Sequence, residues 1–167
     1  MRVNRECRAK KFYVLAAPTL ASALALASMQ APLLIYNGSL SVPIGLYAIH
    51  HSRPTRGDLV LVRPWPELAR LLGKHDILPA GVPLLKTVVA ITDDDVCRHG
   101  DTISINGIPA AEILALDAKG RALPGWASCR KLVRGEFFLL QPHPRSFDSR
   151  YFGPVLSCDV IGVARAI

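Results

Sequence analysis

Asn37-Gly38-Ser39-Leu40-Ser41-Val42-Pro43-Ile44-Gly45-Leu46-Tyr47 is the stretch that decides how the rest of the chain is understood. Two serines stand one residue apart, ahead of Pro43, whose ring fixes φ, and Gly45, which tolerates positive φ. Such a stiff, turn-rich run can hold a hydroxyl at one angle, although Ser-Pro-Gly segments also make ordinary turns. Immediately upstream is a long uncharged apolar segment. Immediately downstream, Leu46-Tyr47-Ala48-Ile49 has the composition of a short strand.

Two later stretches complete the pattern. Leu84-Leu85-Lys86-Thr87-Val88-Val89-Ala90 carries a lysine inside a β-prone apolar run, and Ser146-Phe147-Asp148-Ser149-Arg150-Tyr151-Phe152-Gly153 packs four polar residues into eight. Together and in this order they resemble the signal peptidase I-like serine–lysine peptidases, and within them the TraF-type conjugal-transfer peptidases. The first stretch is similar to their Asn-x-Thr/Ser-x-Ser-x-Pro-x-Gly-Leu-Tyr pattern, the second to their lysine box, and the third to their Ser-x-Asp-Ser-Arg-Tyr-x-Gly box. Arg56-Gly57-Asp58-Leu59-Val60 adds a similar Gly-Asp-Leu-Val box, whereas Asp93-Asp94-Asp95 stands where most members have a Gly-Asp turn. The similarity extends from about Asn37 to the C-terminus.

The rest of the chain is compatible with that family. Leu59–Val62, Leu84–Ile91, Thr102–Ile105, Glu136–Leu140 and Val160–Ala164 have strand composition, the last placed to close the sheet. Glu67–Leu72 is the one helical stretch of the body, and Asn106-Gly107 is a hairpin signal. His75–Pro83 reads as a loop, and residues 108–126 as an insert with turns at Gly120 and Pro124-Gly125. Asp93–Asp95 reads as a solvated turn, because the Gly and Glu of a calcium loop are missing. Short, regularly spaced strands argue for a mostly β domain. The resemblance implies the same: a compact, coiled, barrel-like β-sheet catalytic domain preceded by one N-terminal hydrophobic helix.

Charge and hydropathy divide the chain at residues 36 and 37. Residues 1–11 carry five basic side chains against Glu6, so more than half of the net charge of +7 is a short tail. The domain at 37–167 is only mildly basic and lacks a basic stripe with interleaved aromatics, which disfavours a nucleic-acid partner. Phe12 to Tyr36 is 25 residues without charge, against about 20 needed to span a bilayer. The basic flank keeps the N-terminus cytoplasmic and sends the remainder outward. Two readings stay open, an uncleaved anchor and a signal peptide cut near Ala25-Leu26-Ala27. Both make residues 37–167 periplasmic, and the anchor would tether them to the inner membrane.

Outside the cytoplasm disulfides persist, and Cys97, Cys129 and Cys158 fall in that part. Cys97–Cys129 is the favoured bridge because it ties the two ends of the insert, leaving Cys158 as a buried thiol. A zinc site is the weaker alternative, since there is no Cys-x-x-Cys and the histidines are scattered. No metal or other cofactor is expected.

A serine hydroxyl needs a base. There is no Gly-x-Ser-x-Gly elbow; His143 offers a Ser–His alternative, and Lys86 a better one. A free lysine is neutral in only about one molecule in a few thousand at pH 7. Burial among Leu84, Leu85, Val88 and Val89 would lower its pKa by several units. The resemblance implies Ser41 as nucleophile, with Ser39 as the alternative, and Lys86 as base in direct contact with Ser41. It implies Ser39 as an oxyanion-hole hydroxyl, Ser146 as the hydroxyl orienting the lysine, and Asp148 with Arg150 as a brace. Without it, Asp148 and Arg150 would read as a surface ion pair of little consequence. The implied function is maturation of a pilin-like subunit for conjugation, by hydrolysis or by cyclisation. A general leader peptidase and a non-catalytic pilus assembly factor are the alternatives.

Overall fold

Short apolar runs separated by turn residues become antiparallel strands, and the computed structural model, which describes residues 33–79, 81–126 and 128–167, arranges them in two sheets. The larger runs in the order β1 (Leu33–Asn37), β2 (Gly45–His50), β11 (Val160–Ala166), β3 (Leu59–Val62), β4 (Leu84–Ala90), β9 (Glu136–Leu140) and β10 (Val155–Leu156). It curls into a half-barrel. The smaller has β7 (Ile108–Glu112), β6 (Thr102–Ile105), β5 (Asp95–His99) and β8 (Ser128–Lys131). Among the described residues the α-helices are α1 (Pro66–Lys74), between β3 and β4, and the single turn α2 (Ser149–Phe152), between β9 and β10. The domain is mostly β.

Alternation along the strands separates two apolar clusters. Val60, Val62, Leu84, Val88, Phe138 and Leu139 belong to the principal core, which α1 covers with Leu68 and Leu72, one turn apart. Leu61 and Leu85 point the other way and join Val42, Tyr47, Ile49 and Ala164. Lys86 therefore lies between Leu84 and Val88 on the principal core side of β4, and this is why it is buried.

The C-terminal strand β11 enters between β2 and β3 and closes the large sheet. Its pairing with β3 shifts register between Val160 and Gly162. A Cβ at Gly162 would lie 2.6 Å from the His50 carbonyl oxygen and 2.8 Å from Ile49 Cγ2. Gly162→Ala is therefore expected to destabilise the domain by about 1–3 kcal/mol, as overpacking does. Urea unfolding measures it, and an unchanged midpoint would show that β2 and β11 yield at no cost.

Several expectations need correction. Leu33–Tyr36, assigned above to the apolar segment, form β1 and pair with Leu46–Ile49 of β2, so the domain extends at least to Leu33. The remainder of that segment lies outside the described residues; among those described, no helix is long and apolar enough to cross a membrane. Asp93–Asp95 is not a plain solvated turn. Asp93 has φ of 73° and Asp95 opens β5, but Asp94 is buried and accepts hydrogen bonds from Arg56, Asn106 and the Ile91 amide. The insert begins with β7, reached by a tight hairpin through Asn106 and Gly107, both at positive φ. Cys97 and Cys129 face each other across β5 and β8 and form a disulfide. Cys158 is exposed, because it sits in the surface turn before β11 instead of under the sheet, and it is not a free thiol.

Candidate active site

The serines lie in the loop joining β1 to β2, and Asn37 shapes that loop. It is buried at the end of β1, and its amide nitrogen is 3.0–3.1 Å from the carbonyl oxygens of Ser39, Val42 and Pro43. Its carbonyl oxygen accepts from the Ser39 amide at 3.1 Å and the Ser39 hydroxyl at 2.8 Å. Tyr47 donates its hydroxyl to the Pro43 carbonyl, and Val42 is buried in the second cluster. The loop is thus fixed from three sides. Ser39 and Ser41 place their oxygens 3.1 Å apart. Because Ser39 has one proton and gives it to Asn37, Ser41 is the donor in that contact.

Lys86 approaches from β4. Its Nζ donates to Ser146 Oγ at 2.9 Å, and both side chains are buried. Burial lowers the amine's pKa from 10.5 to about 8; Asp148 pulls it back up and Arg150 pushes it further down. At pH 7 a pKa near 8 leaves about one molecule in ten neutral, several hundred times more than for a free lysine. The expected direct contact between Lys86 and Ser41 is not formed, because the lysine is turned to Ser146 and Ser41 to Ser39. All four groups nevertheless line one cleft of about 1060 Å³, with Leu84, Phe147 and Tyr151 among its apolar walls.

Beneath Ser146, Asp148 caps the N-terminus of α2 and pairs with Arg150. Asp148 is 0% and Arg150 2% exposed, so the bland surface-pair reading fails. The Asp148 carboxylate accepts from Arg150 Nε at 2.8 Å, Arg150 Nη2 at 3.1 Å, and the Arg150 and Gln141 amides. The remaining guanidinium donors reach the carbonyls of Glu112, Pro144 and Gln141. Every polar hydrogen of Arg150 is used, which is what lets a charge pair stay buried.

The structure also shows site residues that the sequence did not single out. Asn37 appeared above only as a motif letter. His75 and Asp117, 42 positions apart, meet at 2.9 Å on the cleft wall, and His75 stacks on Phe147. No local pattern announces such a pair. His143 lies at the cleft rim, where its Nδ1 accepts from the Arg145 amide, and it has no bond to Ser41. His50 and His51 lie away from the cleft, as do Cys97 and Cys129.

Comparison with known proteins supplies the lineage. Residues 8–167 match the family model described as signal peptidase, peptidase S26. The conjugal transfer protein TraF of Agrobacterium fabrum is 35% identical over 142 residues, covering 78% of this chain and 80% of that protein. The probable conjugal transfer protein TraF of Sinorhizobium fredii is 31% identical over 140 residues, covering 76% and 72%. A signal peptidase I from Enterococcus faecalis matches 68% of this chain and 98% of its own at 25% identity, with a TM-score of 0.40. A matching model over nearly the whole chain, with a relative above 30% identity along most of its length, places the chain in the signal peptidase family, peptidase S26.

Proposed function

We propose that the chain is a serine endopeptidase with a Ser41–Lys86 dyad that processes a pilin-like subunit for conjugative transfer. The observation that carries this reading is a buried lysine with a lowered pKa lining the same cleft as a serine held by a stapled loop. The relatives bearing conjugal-transfer names support the biological setting.

In this mechanism Ser41 rotates away from Ser39, a ps–ns side-chain motion, and gives its proton to neutral Lys86. Ser146 holds the amine in place. The Ser41 oxygen attacks a peptide carbonyl, and the Ser41 backbone N–H and Ser39 hydroxyl receive the developing oxyanion. Ser39 must first release Asn37, so the resting loop stores that donor until substrate arrives. Lys86 returns the proton to the leaving amine. Water then resolves the acyl-enzyme, or the substrate's own N-terminal amine does so and closes a ring.

Location is part of the proposal: periplasmic and held at the inner membrane. Leu33, Leu34, Tyr36, Leu40, Ile44 and Leu46 surround the serine loop and are 50–83% exposed, an apolar surface suited to lie against lipid beside a membrane-inserted substrate. The basic tail and apolar run at residues 1–32 point the same way.

Mass spectrometry of the pilin-like subunit, made with the wild-type chain or with Ser41→Ala, tests the proposal. The wild type is expected to remove a segment, and a cyclic product would be lighter by one further water. The Ser41→Ala variant is expected to leave the precursor intact. Full processing by that variant would overturn the catalytic reading in favour of a pilus assembly factor.

A further inference from the structure

Cys97, Cys129 and His99 cluster on the small sheet, away from the catalytic cleft. Residues two apart on a strand share a face, so His99 follows Cys97 along β5 while Cys129 stands opposite on β8. His99 Nε2 is 3.5 Å from Cys129 Sγ, and one donor atom from each of the three residues lies within 4.8 Å of the others. His99 and Cys129 are exposed. This is a Cys-x-His motif completed from across the sheet, an arrangement that a search for Cys-x-x-Cys passes over.

We propose that these three residues form a redox-gated zinc site, closed while the disulfide stands and able to take one Zn²⁺ after its reduction. A dithiol would deliver two electrons and two protons to the Cys97–Cys129 bond, giving two thiols and leaving the reductant as a cyclic disulfide. Both thiols would then lose a proton as two Zn–S bonds form, and His99 would bind through neutral Nε2, with water in the fourth position. Tetrahedral zinc has Zn–S near 2.3 Å and Zn–N near 2.0–2.1 Å, which sets sulfur and nitrogen about 3.5 Å apart. That is the separation already present between Cys129 and His99. The sulfurs need only part from bonding distance to about 3.8 Å.

The surroundings permit a cation. Arg98 and Arg130 alternate to the opposite face, where Arg98 donates to the Gly100 and Trp126 carbonyls and Arg130 pairs with Glu136. Lys131, on the same face as Cys129, is held by Asp95 and the Asp93 carbonyl. A zinc bridge would replace the disulfide as the clamp between β5 and β8, the strands that flank the insert forming part of the cleft wall.

Co²⁺ titration of the full-length chain tests this, before and after reduction with dithiothreitol and anaerobic removal of the reductant. The reduced chain is expected to bind one Co²⁺ with a thiolate-to-cobalt charge-transfer band that Zn²⁺ erases, and the oxidised chain is expected to show no band. His99→Ala, which keeps both cysteines and the disulfide, is expected to weaken binding by on the order of tenfold or more. The proposal is overturned by a reduced chain without the band, by unchanged affinity in His99→Ala, or by a band surviving in Cys97→Ser/Cys129→Ser. None of these outcomes depends on the peptidase reading.

Discussion

Lys86→Met is expected to abolish turnover while making the domain more stable at pH 7. The activity loss follows from removing the buried amine proposed as the base, and general-base removal costs roughly 10²–10⁴ in kcat. The stability gain follows from the pKa. Folding lowers Lys86 from 10.5 to about 8, and each unit corresponds to about 1.4 kcal/mol. Below pH 8 both folded and unfolded chains carry this proton, and the folded state bears a full penalty of about 3 kcal/mol. Between pH 8 and 10.5 the folded chain sheds a proton that the unfolded chain keeps, so wild-type stability rises with pH. Methionine fills the same space without charge. It forfeits the Ser146 hydrogen bond, worth about 1 kcal/mol, so the net gain at pH 7 is about 2 kcal/mol and disappears by about pH 10. Urea unfolding across that pH range reads the effect directly. Wild-type kcat/KM should rise with pH around a midpoint near 8 if Lys86 acts as base. A Lys86→Met variant that is less stable at pH 7, or one that still turns over, would contradict this account.

The burial of Lys86 explains why part of the candidate site was readable from sequence. A lysine among Leu84, Leu85, Val88 and Val89 is legible as buried, because strand alternation leaves it no solvent face once both sides of the sheet are covered. Leu59–Val62 and Glu136–Leu140 were legible for the same reason: their apolar runs are central strands packed on both faces. Leu33–Tyr36 was not, because four apolar residues at the end of a long apolar run carry no mark separating strand from membrane segment. Three of them, Leu33, Leu34 and Tyr36, remain exposed even when paired. The four-residue α2 is too short for a helical period to register, and its stability comes from Asp148 capping it. Partnerships such as Asn37 with the Pro43 carbonyl, or His75 with Asp117, are matters of three-dimensional closure. Composition holds no trace of them. The motif letters marked segments that line the cleft, and the hydrogen bonds show how those segments are held there.

Asp148→Asn is expected to be the most damaging conservative substitution in the domain, at about 3–5 kcal/mol. The carboxylate has four N–H groups aimed at its two oxygens, two from the Arg150 guanidinium and two from backbone amides. An asparagine would present an NH₂ to two of those donors and leave Arg150 charged, 2% exposed and without a counter-ion. Arg150→Met leaves the opposite orphan, a buried carboxylate, and should cost a similar amount. The pair Asp148→Asn/Arg150→Met leaves neither charge stranded, so its cost should fall short of the two singles combined by at least about 2 kcal/mol. Thermal or urea unfolding of the four chains completes the cycle; additive losses would mean that the pair is not the unit the hydrogen bonds describe. The same substitution carries a signature in the pH profile. Asp148 raises the Lys86 pKa and Arg150 lowers it, so Asp148→Asn removes the former and strengthens the latter. In whatever fraction of Asp148→Asn remains folded, the rising limb of kcat/KM should move toward acid. A purely structural role for Asp148 would lower the amount of active protein and leave that limb in place.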